Sequence, residues 1–313
     1  MFASEVKLVG NHPKFVKAME LAKNIAVTKA PALVTGESGT GKKAFCKFVH
    51  QNSARNNAEI HTVDCSMDAK KVENAILGYR DEETGRFHKG VLEKANGGSV
   101  ILSNIDSLDE KFQKRLYTIL QELSDYDLDV RILATTSKNL SKYVGAGRFH
   151  RALYTYFSGS QINLVPLRER GEDIKVIAEH FVTEWANANN SSTASFTEEA
   201  VNKISNFYWA HNVAELKNVI EGSMSNVQNG QIDVNAVELG EKKAEAQTQE
   251  ADEDGFRLMS LKEAERLLIK KALIHTSENR TQAAKILGVS IRTLRNKINE
   301  YRTDGNNYFV NLR

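Results

Sequence analysis

Two apolar periods alternate along the first 166 residues, and their alternation sets the expected architecture. Short apolar runs at 32–35, 60–64, 99–102, 130–135 and 161–164 read as strands. Between them apolar positions return every three to four residues over 13–25, 42–51, 69–77 and 109–123, the spacing of amphipathic helices. Strand and helix in turn predict a parallel α/β sheet with crossover helices. From 170 to 238 the pattern becomes helix after helix, at 173–188, 197–206 and 213–226, which predicts a helical subdomain. Three more helical stretches, 260–275, 279–287 and 290–301, follow an interval without apolar periodicity.

Charge turns that interval into a linker and the last stretch into a separate module. Residues 241–254 hold six acids, Glu241, Glu245, Glu250, Asp252, Glu253 and Asp254, against Lys242 and Lys243. Residues 256–302 hold eleven Lys and Arg against four Glu, although the whole chain carries only +2. A basic terminal module behind an acidic connector predicts double-stranded DNA as its partner. Gly288 separates the last two helices at helix-turn-helix spacing, and Ser290 is placed to cap the final one. On that helix Ile291, Leu294, Ile298 and Tyr301 share the face expected to be buried. Arg292, Thr293 and Asn296 share the opposite face and are assigned to base edges. Arg295, Lys297 and, from the preceding helix, Arg280 are assigned to phosphates.

The chemistry of the first module is carried by residues 36–42, Gly-Glu-Ser-Gly-Thr-Gly-Lys, with spacing G-x-x-x-x-G-K between an apolar run and a helix. Successive backbone N–H groups of such a loop curl around phosphate oxygens while the lysine supplies a point charge. Gly36, Glu37, Ser38, Gly39, Thr40, Gly41, Lys42 and Lys43 are therefore the expected contacts of ATP or ADP. Lys43 stands where most such loops place a Ser or Thr against Mg²⁺, which leaves the metal open. Cys46 and Cys65 are too few for a disulfide framework or zinc site, and the histidines lack ligand spacing, so no protein-held metal is expected. No apolar run approaches the roughly 20 residues of a membrane span, and the N-terminus lacks a signal-peptide core. No membrane partner is expected, and the cytoplasm is the expected compartment.

Taken together, these residues resemble the sigma-54-dependent activators, bacterial enhancer-binding proteins of the AAA+ class, without an N-terminal sensory domain. Gly36 to Lys42 resembles the family's phosphate loop and Val63-Asp64-Cys65-Ser66 its Asn-Cys stretch. Gly97-Gly98-Ser99 is similar to the entry into its Walker B strand, Leu167 to Ile174 to the opening of its lid, and Thr281 to Asn296 to its Fis-type DNA-binding helices. The resemblance implies an α/β AAA+ P-loop domain with a helical lid and an all-α Fis-type helix-turn-helix domain. The expected limits are 1–166, 167–238, a linker at 239–256, and 257–313. It also implies RNA polymerase holoenzyme as a partner and a homo-oligomer, dimer or ring.

The departures from the family point away from hydrolysis. Ser103-Asn104 stand at the family's Asp-Glu, which would hold the Mg²⁺ shell and activate the attacking water. His150 and Tyr156 stand at its two arginine fingers, with Arg151 one position away; Ala214 stands at the sensor II arginine and Ser137 at the sensor I asparagine. Asp106 and Asp109 lie past the strand end, where the shift is expected to turn either carboxylate away from the loop. The Gly-Ala-Phe-Thr-Gly-Ala loop that touches sigma-54 is missing between Gly78 and Gly90. The expected function is a DNA-binding transcription regulator with a nucleotide-binding, hydrolysis-deficient core that acts independently of sigma-54 remodelling. An active ATPase that remodels sigma-54 holoenzyme and a scaffold that co-assembles with a complete paralogue are the alternatives.

Overall fold

The computed structural model describes residues 6–227, 230–240, 265, 268–269, 272–273, 276 and 279–303. The order is α1 (Pro13–Ala26), β1 (Ala32–Thr35), α2 (Lys42–Gln51), β2 (Ile60–Asp64), α3 (Ala69–Leu77), β3 (Gly78–Arg80), β4 (Phe87–Lys89), α4 (Val91–Lys94) and β5 (Ser99–Ser103). It continues through α5 (Glu110–Gln121), β6 (Arg131–Thr136), α6 (Leu140–Gly145), α7 (Arg151–Ser158) and β7 (Gln161–Asn163). A helical region follows, with α8 (Asp173–Ala188), β8 (Ser195–Phe196), α9 (Glu198–Ser205), α10 (Asn212–Ser223) and β9 (Gln231–Ile232). Helices Arg280–Leu287 and Ile291–Thr303 belong to a second compact unit, residues 241–313, distinct from 1–240.

Strands β2, β5, β6, β1 and β7 form one parallel sheet in that order. Their side chains alternate between two cores, which is why these strands read as continuous apolar runs. Leu33, Val100, Leu102, Ile132 and Ala134 pack on the α3, α5 and α7 side, while Ala32, Val34, Ile101, Leu133 and Ile162 pack against α1 and α2. The parallel pairing brings every strand's C-terminal end to one edge, where crossover loops are free to carry function. Buried Arg131 donates to the carbonyls of Ile25, Ala26 and Ala30, satisfying the end of α1 at the opposite edge.

Several expected limits move by a residue or two. β5 extends to Ser103, β6 runs 131–136 instead of 130–135, and β7 ends at Asn163. The helix expected over 109–123 is α5, capped by Asp109, whose carboxylate accepts from Lys111 N. The expected linker, beyond residues 239 and 240, and most of the helix expected over 260–275 lie outside the described residues.

The helical region has its own core of Ile174, Ile177, Val182, Ile204, Trp209, Leu216 and Ile220. In the second unit Ile269, Leu273, Ala283, Ala284, Leu294, Ile298 and Tyr301 form a separate core.

Candidate functional site

Thr35 ends β1 at the functional edge and the chain then curls through Gly36–Gly41 into the first turn of α2. Gly39 takes φ +77°, and a Cβ there would meet the His211 carbonyl oxygen at 1.9 Å, so the position accepts glycine alone. Lys42 is buried, and its Nζ donates to Gly36 O (2.8 Å) and Glu37 O (2.7 Å). Burial lowers its pKa, against the opposing carboxylates of Asp106 and Glu37. Thr40 Oγ1 donates to Glu37 O at 2.8 Å and fixes the loop from within.

The helical region latches onto this loop. Arg168 grips Glu37 with two guanidinium nitrogens, at 2.6 and 2.5 Å, and this bond holds the Glu37 carboxyl below the usual carboxylate range. Fully buried Asn212 accepts from Leu167 N (2.7 Å) and donates to Ser38 O (2.8 Å) and Glu37 Oε2 (3.3 Å). Ala214 N donates to Gly39 O at 3.1 Å, so the methyl group of Ala214 stands beside the loop. The sequence reading passed over Arg168 and Asn212 as loop ligands. Only the two polar residues, not their 131- to 175-residue separations from the loop, were visible there.

Beside the loop lies a cavity of about 260 Å³ walled by Leu8, Phe15, Phe45, Val213 and Thr40, with Arg170 at its edge. Arg170 is 2% exposed; its guanidinium lies 4.5 Å from the Phe15 ring centroid, and its Nη1 lies 3.9 Å from buried Asp173 Oδ2. An apolar slot opening onto a phosphate loop matches the demands of a planar base.

The neighbouring strand ends are where the sequence departed from its family. Ser103 is fully buried, and its hydroxyl donates to Val63 O at 3.1 Å. Asn104 Nδ2 donates to Asp64 Oδ1 at 3.0 Å, and Asp64 Oδ2 lies 3.7 Å from Lys43 Nζ. Burial opposes ionisation of Asp64, but donors from Ser66 and Asn104 and the Lys43 charge outweigh it and lower its pKa. Asn104 adopts φ +55°, and beyond it Asp106 accepts from Thr136 Oγ1 at 2.5 Å, while its charge favours the ammonium of Lys42. Buried Cys65 senses the same edge: burial first, then Asp64 and Asp106, push its thiol up to about 12.

His150 precedes α7, with its backbone N–H on Gln113 Oε1 at 2.7 Å, and Tyr156 packs edge-on against Phe157. Burial pushes the Tyr156 hydroxyl up to about 12. Both residues line a groove with Tyr117 and exposed Arg151. In place of the missing loop stands a feature the sequence reading did not anticipate, the β3–β4 hairpin. Tyr79 and His88 stack across it with ring centroids 4.8 Å apart.

In the second unit Gly288 takes φ +66° between the two helices, and Ser290 Oγ accepts from Thr293 N at 3.0 Å, as an N-cap should. The Thr293 hydroxyl is itself bonded to Ser290 Oγ, at 2.8 Å. Arg292, Arg295 and Asn296 are exposed, and Leu294, Ile298 and Tyr301 are buried. Ile291 departs from its expected burial at 39% exposed, because the first helical residue lies beyond the edge of the core. Lys297 departs as well: its Nζ is 3.0 Å from Glu265 Oε2 and 3.5 Å from Glu300 Oε2, and Tyr301 OH donates to the same Glu265 oxygen. In the structure its ammonium is paired with acids of the same unit. Arg280 is half-buried.

A parallel α/β sheet with a phosphate loop, a helical lid pinned to that loop, and a helix-turn-helix unit together define a lidded P-loop regulator. Residues 8–163 match the Sigma-54 interaction domain, 168–254 the AAA+ ATPase lid domain, and 260–301 the bacterial regulatory protein, Fis family. The transcriptional regulatory protein FlbD of Caulobacter vibrioides is 31% identical over 325 residues, covering 96% of this chain and 71% of FlbD. Nitrogen fixation protein AnfA of Azotobacter vinelandii is 30% identical over 312 residues, covering 94% of this chain and 57% of AnfA. The crystal structure of NtrX from Brucella abortus in complex with ADP shares the fold with a TM-score of 0.67 at 20% identity, covering 95% of this chain and 69% of that one. The chain belongs to the family of sigma-54-dependent transcriptional regulators built from an AAA+ domain, its lid and a Fis-type helix-turn-helix. Among the described residues no helix is long and apolar enough to cross a membrane.

Proposed function

We propose that this regulator binds ATP or ADP without turning it over, binds duplex DNA through its C-terminal helices, and acts on RNA polymerase independently of sigma-54 remodelling. One observation carries the reading. At the end of β5 the Ser103 hydroxyl is spent on Val63 O and the Asn104 amide on Asp64, so neither offers negative charge or a base to a γ-phosphate and its water. Losing a general base typically costs about 10² to 10⁴ in rate, and losing an arginine finger about 10³ to 10⁵.

Nucleotide binding is supported by the loop backbone, by Lys42, and by the adjoining apolar cavity. A neighbour of the same fold, NtrX from Brucella abortus, was crystallised in complex with ADP. Residues 1–166 and 167–238 would hold the nucleotide and 257–313 the DNA, in a homo-oligomer, dimer or ring. A working ATPase is the second reading, favoured by Asp106, a carboxylate just past β5 whose charge favours the Lys42 ammonium.

Equilibrium nucleotide binding and phosphate release on one purified sample separate the two. Saturable binding that Lys42→Ala abolishes, with release no faster than in that variant, is the expected result. Turnover near about one per second in the unsubstituted protein refutes it.

A further inference from the structure

The phosphate loop carries two adjacent lysines, and the surroundings of the second are poor in ligands for a divalent cation. A P-loop metal takes its protein oxygens from a Ser or Thr directly after the loop lysine and from an aspartate at the end of a neighbouring strand. Here the first position is Lys43. The second is Ser103, fully buried with its hydroxyl on Val63 O.

The two nearby carboxylates are already engaged. Asp64 Oδ1 takes three donors, Ser66 N (3.1 Å), Ser66 Oγ (2.7 Å) and Asn104 Nδ2 (3.0 Å), while Oδ2 faces Lys43. That set fills Asp64 Oδ1 and leaves Oδ2 beside the Lys43 ammonium. Asp106 Oδ1 takes the Thr136 hydroxyl, and the Asp106 charge favours the Lys42 ammonium. A dication entering here would meet two ammonium groups, and both carboxylates already carry donors.

We propose that this loop binds its nucleoside phosphate without a divalent cation, with Lys43 supplying at the terminal phosphates the positive charge that a metal supplies elsewhere. The proposal rests on the reading of 36–43 as a nucleotide loop. Lys43 is free to take that role because its present partnership is weak. The pair with Asp64 is long, at 3.7 Å, and the lysine side chain is more than half exposed, a geometry that binds it only weakly. A phosphate oxygen offers a charge-assisted bond in exchange. When Lys43 leaves, Ser66 and Asn104 still hold Asp64.

Equilibrium dialysis of labelled ATP against the purified full chain tests this, once with excess EDTA and once with excess MgCl₂. The unsubstituted protein should bind equally well in both, within about threefold. Lys43→Ser should lose about tenfold or more in EDTA and recover part of that loss with Mg²⁺, since a hydroxyl restores one metal ligand. Its thermal unfolding should match the parent, because Lys43 makes only the exposed pair. Tenfold weaker binding of the unsubstituted protein in EDTA overturns the proposal and leaves the nucleotide loop standing. So does a Lys43→Ser variant that binds ATP in EDTA as tightly as its parent. No saturable binding in either buffer at millimolar ATP overturns the nucleotide-loop reading itself, and the proposal with it.

Discussion

Asn104 and Asp64 hold one another across the ends of β5 and β2, amide to carboxylate at 3.0 Å, beside the loop that would carry the phosphates. The bond makes Asn104 a support for an anion and removes it from any role as one.

That relationship predicts the outcome of an obvious repair. Asn104→Glu would set a second carboxylate against Asp64, and two carboxylates at hydrogen-bond distance do not both ionise cheaply. One acquires a folded-state pKa above its unfolded value, so the destabilisation is full above that raised pKa and fades as pH falls toward the ordinary carboxylate range. Thermal melts should show a loss of about 1–3 kcal/mol at pH 8 and a smaller one at pH 5. The double change Ser103→Asp, Asn104→Glu should still fail to restore parental-family turnover, because His150 and Tyr156 remain at the finger positions. Phosphate release measured on both variants checks this.

Asp64 itself carries the opposite sign. Its folded pKa is lowered, so the stability it contributes is present above the usual carboxylate value and is lost as pH falls through the depressed one. Asp64→Asn should therefore be less stable than the parent at pH 7, with the difference shrinking below pH 4 in urea titrations. A gap that widened toward acid would contradict the arrangement.

The lid latch separates a strong contact from a weak one. Arg168→Ala removes a partly exposed pair and should cost about 1 kcal/mol or less. Asn212→Ala leaves the buried Leu167 N–H without its acceptor and places alanine at φ +54°, for a loss of about 2–4 kcal/mol. Urea unfolding of the two variants should rank them in that order, although the arginine makes the shorter bonds.

Much of this site was legible in the sequence because its signals are local. The strand 32–35 and helix 42–51 on either side of the loop were visible in apolar periodicity alone, and both stand as read. Ser290 was legible for the same reason, since a cap acts three residues away. What was missed depends on distant partners or on backbone reversal. The course of the chain beyond β5 was not legible, because the left-handed backbone of Asn104 breaks the strand geometry there. The pair of Lys297 with Glu265 was not legible because Glu265 lies 32 positions earlier, on a segment read only as another amphipathic helix. The hairpin was overlooked because Tyr79 to Lys89 is dominated by charged residues and lacks the alternation that marks a strand.

The role of Lys297 in the C-terminal unit is testable. Arg292→Ala and Asn296→Ala, exposed on the final helix, should each cost about 1–3 kcal/mol at the specific site and little on random duplex. Arg295→Ala should weaken both kinds of binding and lower the slope of log K against log salt by about 1. Lys297→Ala should leave that slope unchanged and instead lower the unit's melting temperature, since it removes the partner of Glu265. Salt titrations of the full chain with each variant decide it; a slope change for Lys297→Ala equal to that of Arg295→Ala would return the lysine to the phosphates.

The β3–β4 hairpin bears on output. Remodelling by the resembling family requires a hydrolysis cycle and a loop that grips the sigma factor, and here the connection from Tyr79 to Lys89 is a closed turn. Asp81 accepts from Glu83 N, Thr84 N and Thr84 Oγ1, and its own N–H donates to Arg86 O, so the tip is bound back upon itself. A tip spent on its own hydrogen bonds has no free length to project. The protein is therefore expected to leave sigma-54 promoters closed whatever nucleotide is supplied, with bound nucleotide acting only through its differential affinity for two conformations. Asp81→Ala, which frees the tip without adding a gripping motif, should not change that outcome. In a reconstituted transcription assay, ATP-dependent open complexes with sigma-54 polymerase would overturn the reading. Regulation that survives a non-hydrolysable ATP analogue and is lost with Arg292→Ala would place control in DNA occupancy.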